Sequence, residues 1–162
     1  MIQPAERDGV LALLADYGWL IDEGRFDDWL DLFAEDCVYK VVPRENLALG
    51  LPGCLMLCES KDMLRDRVMA LREANKFNIH VPRHVIGLPR VTRGPADMLP
   101  ADMLAVEAAY TVFQSDQEGE SRLYSVGCYL DRVSTAGGVL RFKEKLVIVD
   151  SFAIPSLLAT PL

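Results

Sequence analysis

Met103–Gln114, MLAVEAAYTVFQ, places Leu104, Val106, Ala108, Tyr110 and Val112 at every second position, the period of a β-strand with one buried face. Two stretches downstream follow the same rule. Ser121–Val133, SRLYSVGCYLDRV, aligns Tyr124, Val126, Cys128 and Leu130 on one side. Val139–Asp150, VLRFKEKLVIVD, aligns Leu140, Phe142, Leu146 and Ile148, with Glu144 interrupting the row. Ala136–Gly137–Gly138 lies between them and has the chemistry of a hairpin turn. Three long strands in succession predict an antiparallel meander. Immediately upstream, VPRHVIGLPRVTRG (Val81 to Gly94) reads as a fourth strand. Its interruption near Gly87 and Pro89 points to a bulge or a sheet edge.

The first half of the chain reads differently. Val10, Leu11, Leu13, Leu14, Tyr17, Leu20 and Ile21 recur at helical spacing, and Gly24 marks the end of that helix. A short second helix carries Phe26, Trp29, Leu30 and Phe33 on one face, with Asp27 and Asp28 suited to the positive end of its dipole. Cys37–Val42 (CVYKVV) is a strand stopped by Pro43. Leu51–Pro52–Gly53 turns the chain into a second short strand, CLMLC. Ser60 is the N-cap of a third helix running to about Asn75, with Met63, Leu64, Arg67, Val68 and Leu71 at helical steps. Segregated helices and strands predict an α+β fold: a curved antiparallel sheet wrapped around three helices as a cone, one domain over residues 1–162.

The totals restrict the function. The chain has 162 residues, half of them hydrophobic, and a net charge of -7. That balance argues against nucleic acid, which demands a cationic surface, and against an anionic membrane. Glu6, Arg7 and Asp8 precede the first apolar stretch, unlike a signal peptide. No apolar run reaches the ~18 residues of a membrane span, so the expected location is cytoplasmic. Cys37, Cys54, Cys58 and Cys128 form no CxxC pair and are expected to be reduced, mostly buried thiols.

Metal chemistry can be judged by counting. His80 and His84 are the only histidines. A mononuclear iron site of the oxygenase type uses two histidines and a carboxylate, and a Rieske cluster uses two cysteines and two histidines. This chain cannot supply both and has neither spacing, so no metal ligand is expected. There is no GxSxG elbow, Walker loop or GxGxxG. A cone could still run cofactor-free acid/base chemistry, as ketosteroid isomerase and scytalone dehydratase do. The candidates are Tyr17, Asp22, Asp36, Tyr39, His84 and Glu144. Five of them also have a structural reading: Asp22 and Asp36 at helix ends or turns, Tyr17 on a core helix face, His84 as a satisfied structural histidine, and Glu144 paired with a basic neighbour.

Across nearly its whole length the chain resembles the small (β) subunits of aromatic-ring-hydroxylating dioxygenases. The matching pieces are Tyr17 with Ile21–Asp22, Trp29, Leu32–Phe33, Asp36, Tyr39 and Val41. Pro43–Arg44–Glu45–Asn46, Gly50–Leu51–Pro52, Ser60–Asn75 (SKDMLRDRVMALREAN), Arg83–His84 and Asp150–Ser151 follow in order. The resemblance implies a cystatin-like or nuclear-transport-factor-like cone and assembly with a larger α subunit, typically as α3β3. That α subunit would carry the Rieske 2Fe–2S cluster and the mononuclear non-haem Fe(II). Electrons would come from NAD(P)H through a reductase and in some systems a ferredoxin. RHVIGLPRV and VDSFAIPSLLATPL look like terephthalate dioxygenase small subunits, and PRENLALGLP with ESKDMLRDRV like salicylate- and anthranilate-type relatives. An aromatic carboxylate is therefore the implied substrate, with terephthalate favoured. No catalytic, cofactor-binding or metal-binding residue is expected in this chain. Arg44, Glu45, Asn46, Arg65, Asp66, Arg67 and Arg72 are the candidate subunit-interface residues. The competing readings are a stand-alone dehydratase or isomerase, and a cone that binds a small ligand without chemistry.

Overall fold

A computed structural model describes residues 2–74, 79–94, 99–154 and 158–162. Helix α1 (Pro4–Asp22) opens with Pro4 in its first turn and with the Glu6 carboxylate accepting the Gln3 N–H at 2.9 Å, a capping box that occupies a donor the helix leaves over. Gly24, at φ 69°, follows its end, and α2 (Phe26–Leu30) comes next. β1 (Phe33–Pro43) leads into α3 (Arg44–Ala48), and β2 (Met56–Cys58) leads into α4 (Lys61–Glu73). Ser60 caps α4 by accepting the Met63 N–H at 3.3 Å, as its position predicts. Asn75, the expected end of that helix, lies outside the described residues.

The strands β3 (Val81–Ile86), β4 (Arg90–Thr92), β5 (Met103–Ser115), β6 (Ser121–Ser134) and β7 (Arg141–Val149) complete one sheet in the order β2-β1-β7-β6-β5-β3, with β4 also on β5. The pairings are antiparallel save β1 with β7, which is parallel. The interruption at Gly87–Pro89 separates β3 from β4, and β3 is a sheet edge, where Pro82 withholds no ladder donor. Gly137 and Gly138 turn the chain between β6 and β7 at φ 68° and 76°, a region open to glycine and costly to other residues. α1 packs over β3 and α4 over β1, so the concave face of the sheet and the helices share one apolar core that includes Tyr17, Trp29, Phe33, Tyr39, Tyr129 and Phe142. The α+β cone is the observed architecture.

Several local readings are corrected. Phe33 begins β1 and is not on α2, and Asp36 lies within β1 and ends no helix. The face of β6 is inverted. Ser125, Tyr129, Asp131 and Val133 are buried, while Val126 and Leu130 are exposed. β7 likewise turns Lys145, Val147 and Val149 inward and leaves Leu146 on the other side. Two features cause this. The inward row contains polar residues, so the apolar period pointed to the outward row. Bulges that add Tyr124 to β6 opposite Val112–Phe113, and Lys143 to β7 opposite Arg132–Val133, also slip the register, and one residue of slip exchanges the faces.

Candidate functional site

The concave interior gathers four of the six acid/base candidates. Asp22, the last residue of α1, holds the edge strand β3 with both oxygens. Its Oδ2 accepts the His84 N–H at 2.8 Å and its Oδ1 lies 2.6 Å from His84 Nδ1. Both side chains are almost fully buried. Tyr17 from α1 and Tyr39 from β1 bring their hydroxyls within 3.4 Å of each other. Burial pushes both phenols above their ordinary value, with Tyr39 and Tyr129 raising Tyr17 further.

The other two candidates are elsewhere. Asp36 is exposed on β1 and pairs with Lys143, whose bond holds its carboxyl below the usual range. Glu144 faces outward on β7 and lies 3.3 Å from Arg132. Both line an open cavity of about 770 Å³, together with Glu35, Lys61, Arg132 and Lys143.

The interior also holds groups that the sequence reading passed over. Lys145 Nζ donates to Asp131 Oδ2 at 2.8 Å, with both side chains wholly buried. The ammonium sits 3.3 Å from the centroid of the Tyr129 ring and 4.3 Å from that of Tyr17, a cation–π arrangement strengthened by desolvation. Tyr110 stacks on Tyr129 at 4.6 Å and bonds Ser125 at 3.0 Å. Asp131 and Lys145 carry opposite charge, but Arg132, Arg141, Lys143 and Glu144 stand beside them on the same strands, so sequence alone does not single out the buried pair.

The tail of the chain packs into this interior through Ala159 and Leu162. Leu162 is 1% exposed. Its backbone oxygen accepts from Tyr17 and, at 3.2 Å, from Tyr39, and its N–H donates to the Tyr39 hydroxyl at 3.0 Å. The Tyr17 and Tyr39 hydroxyls therefore face a packed segment of the chain itself.

The candidate interface residues form two groups. Arg44 Nε donates to Asp150 at 2.8 Å, and Asn46 donates to the Gly53 carbonyl at 2.9 Å; Glu45 stands in the first turn of α3. Both bonds fold the PREN segment, a short helix here, against the chain. On α4, Arg65 meets Asp62 and Glu35, Arg72 meets Asp27 at 3.0 Å, and Arg67 reaches the Leu158 carbonyl at 3.5 Å. Asp66 flanks Arg67 beside the groove lined by Cys54–Cys58. Arg65 and Arg72 thus tie α4 to β1 and α2, and Arg67 ties it to the tail, from within the chain. Among the described residues, no group of three or more His, Cys, Asp or Glu side chains is arranged to hold a metal ion, and no helix is long and apolar enough to cross a membrane. The cysteines are free thiols: Cys37 and Cys58 are buried, Cys54 and Cys128 partly so.

The convex face is the other distinctive surface. One rung across it reads Leu57, Lys40, Leu146, Leu130 and Glu107. The next rungs add Cys128 with Ile148, Val126 with Thr111 and Val85, and Leu123 with Phe113. Leu57, Phe113, Leu123, Val126 and Leu130 are all exposed. Contiguous exposed apolar surface marks an interaction site.

Comparison with known proteins agrees with this geometry. The SnoaL-like domain model matches residues 4–145. The chain is 41% identical over 143 residues to the anthranilate 1,2-dioxygenase small subunit of Burkholderia cepacia, spanning 88% of this chain and 85% of that one. It is 35% identical over 153 residues to the terephthalate 1,2-dioxygenase terminal oxygenase component subunit beta 1 of Comamonas sp., spanning 94% and 96%. A crystal structure from Novosphingobium aromaticivorans, assigned as the β subunit of an aromatic-ring-hydroxylating dioxygenase, superposes with a TM-score of 0.86 at 41% identity, over 98% of this chain and 97% of that one.

Proposed function

This chain belongs to the small (β) subunits of aromatic-ring-hydroxylating dioxygenases, within the SnoaL-like domain family, and we propose that it is the structural, non-catalytic member of its oxygenase. The observation that carries the proposal is the convex sheet face, whose exposed leucines, valine and phenylalanine need a cover. An apolar patch centred on Leu130 has the composition of an interface core, and a charged rim would surround it. We place the large α subunit there, in a cytoplasmic α3β3 complex. Arg44, Glu45, Asn46, Arg65, Asp66, Arg67 and Arg72 contribute at the rim or hold the loops that do.

In this reading the α subunit bears the Rieske cluster and the mononuclear iron. A reductase passes electrons from NAD(P)H, directly or through a ferredoxin. The substrate is an aromatic carboxylate. Terephthalate and anthranilate are the first to assay, since relatives of both kinds match over most of the chain, and salicylate is the third. The stand-alone dehydratase or isomerase reading is weakened by Leu162, which fills the interior that such chemistry would use.

The test is co-expression with the α subunit. The expected result is a stable complex of equal stoichiometry that hydroxylates the ring, and an isolated small subunit with no such activity. Turnover by this chain alone, or failure to co-purify with the α subunit, would overturn the proposal.

A further inference from the structure

Lys40 differs from the other charges of the convex sheet face. Across its rung it lies between Leu57 and Leu146, with Leu130 one strand further on. Along β1, Val38 and Val42 flank it on the same face. Lys40 is itself half-buried, as a lysine is when its methylenes lie on apolar surface and its ammonium reaches water. The charges around it are matched within the chain. Glu144, one rung away, meets Arg132 at 3.3 Å. Glu107, at the far end of the same rung, meets Arg90 at 3.2 Å. Asp150 accepts from Arg44 at 2.8 Å. Among the described residues, Lys40 makes neither an ion pair nor a side-chain hydrogen bond.

In the isolated chain, water solvates the Lys40 ammonium. A partner that covers Leu57, Leu146 and Leu130 removes that water, and an ammonium buried without a counter-charge is strongly disfavoured. The nearby carboxylates of Glu144 and Glu107 are already engaged, so the counter-charge has to come from the partner. We propose that Lys40 is the charged anchor of the convex contact, where the α subunit sets the carboxylate of an Asp or Glu side chain on its ammonium. The inference rests on the α subunit's place on this face and adds the chemistry that selects the partner. Apolar burial is non-directional. One matched charge within it fixes the register and penalises a partner that lacks the acid.

Co-expressed complexes, diluted stepwise and read by mass photometry, give the concentration at which the small subunit dissociates. Lys40→Met keeps an unbranched side chain and deletes the charge. It strands the partner's carboxylate and should raise that concentration by at least about tenfold. Lys40→Arg keeps the charge and should raise it much less. Both variants should melt with wild type as isolated subunits. A smaller rise with Lys40→Met, or a tighter complex, would overturn the anchor, because without a facing carboxylate the substitution only removes a desolvation cost. Arginine as damaging as methionine would overturn it too, since shape and not charge would then be the requirement. Leu130→Asp tests the face separately. If Leu130→Asp breaks the complex and Lys40→Met does not, the anchor falls and the face stands. If both leave the complex intact, the α subunit binds elsewhere and both readings fall. Should the methionine variant melt early, Lys40→Gln decides by the same criterion.

Discussion

Asp131 and Lys145 form an ion pair with no solvent around it. Burial raises Asp131 from its ordinary 3.8 to about 6, opposed by Lys145, and lowers Lys145 from 10.5 to about 8, opposed by Asp131. Desolvation therefore exceeds the attraction on both sides. Between pH 3.8 and about 6 the folded chain holds a proton on Asp131 that the unfolded chain releases. This carboxyl therefore favours folding at low pH, and its contribution is lost as pH rises through about 6. Lys145 is the mirror case: its contribution is present above 10.5 and is lost as pH falls through about 8. Removing one partner strands the other. Lys145→Met should destabilise by about 3–5 kcal/mol near pH 7.5. Asp131 can then neutralise itself, so the deficit should shrink at pH 5.5. Asp131→Leu combined with Lys145→Met should recover most of the loss. Urea titrations at the two pH values check this, and equal deficits at both would refute the assignment.

At the scale of elements, most of the secondary structure was legible because its signals are local. Ser60 shows it: an N-cap is read from a single residue and its followers, and Ser60→Ala should lower stability by about 1 kcal/mol, measurable by thermal melting. The facing of β6 was not legible, because it depends on bulges, and nothing local marks where a strand gains a residue. The same limit hid half of the interior. Tyr17, Asp22, Tyr39 and His84 could be singled out by residue type, but Tyr129, Asp131 and Lys145 enter only when the faces of β6 and β7 are known. Gly127 marks how tightly these strands are set. A Cβ there would lie 1.8 Å from the Ile148 carbonyl oxygen and 2.9 Å from the Tyr110 ring, and neither the sheet backbone nor a stacked ring can retreat cheaply. Gly127→Ala should destabilise the chain by about 3 kcal/mol or more, seen as a lower urea midpoint. A wild-type midpoint would mean that the β6–β7 spacing is looser than the structure has it.

At the scale of the whole molecule, the cone has two faces with opposite assignments. The concave face is closed by helices and by Leu162, whereas the convex face carries apolar side chains into solvent. Substitution there separates assembly from folding, because an exposed position adds little to the stability of the lone chain. Leu130→Asp should leave the melting temperature of the isolated subunit nearly unchanged. In the complex it would bury an unpaired carboxylate at the centre of an apolar contact, and charges stranded in that way weaken association strongly. The expected outcome on co-expression is loss of the small subunit from the purified oxygenase. Arg67→Ala should weaken the complex less, since its guanidinium bonds the Leu158 carbonyl and would act on the interface through the tail. Size exclusion of the two co-expressed variants against wild type measures both effects. An intact complex with Leu130→Asp would move the contact away from the sheet and onto the α3 and α4 surface, where Arg67→Ala would then be the more damaging change.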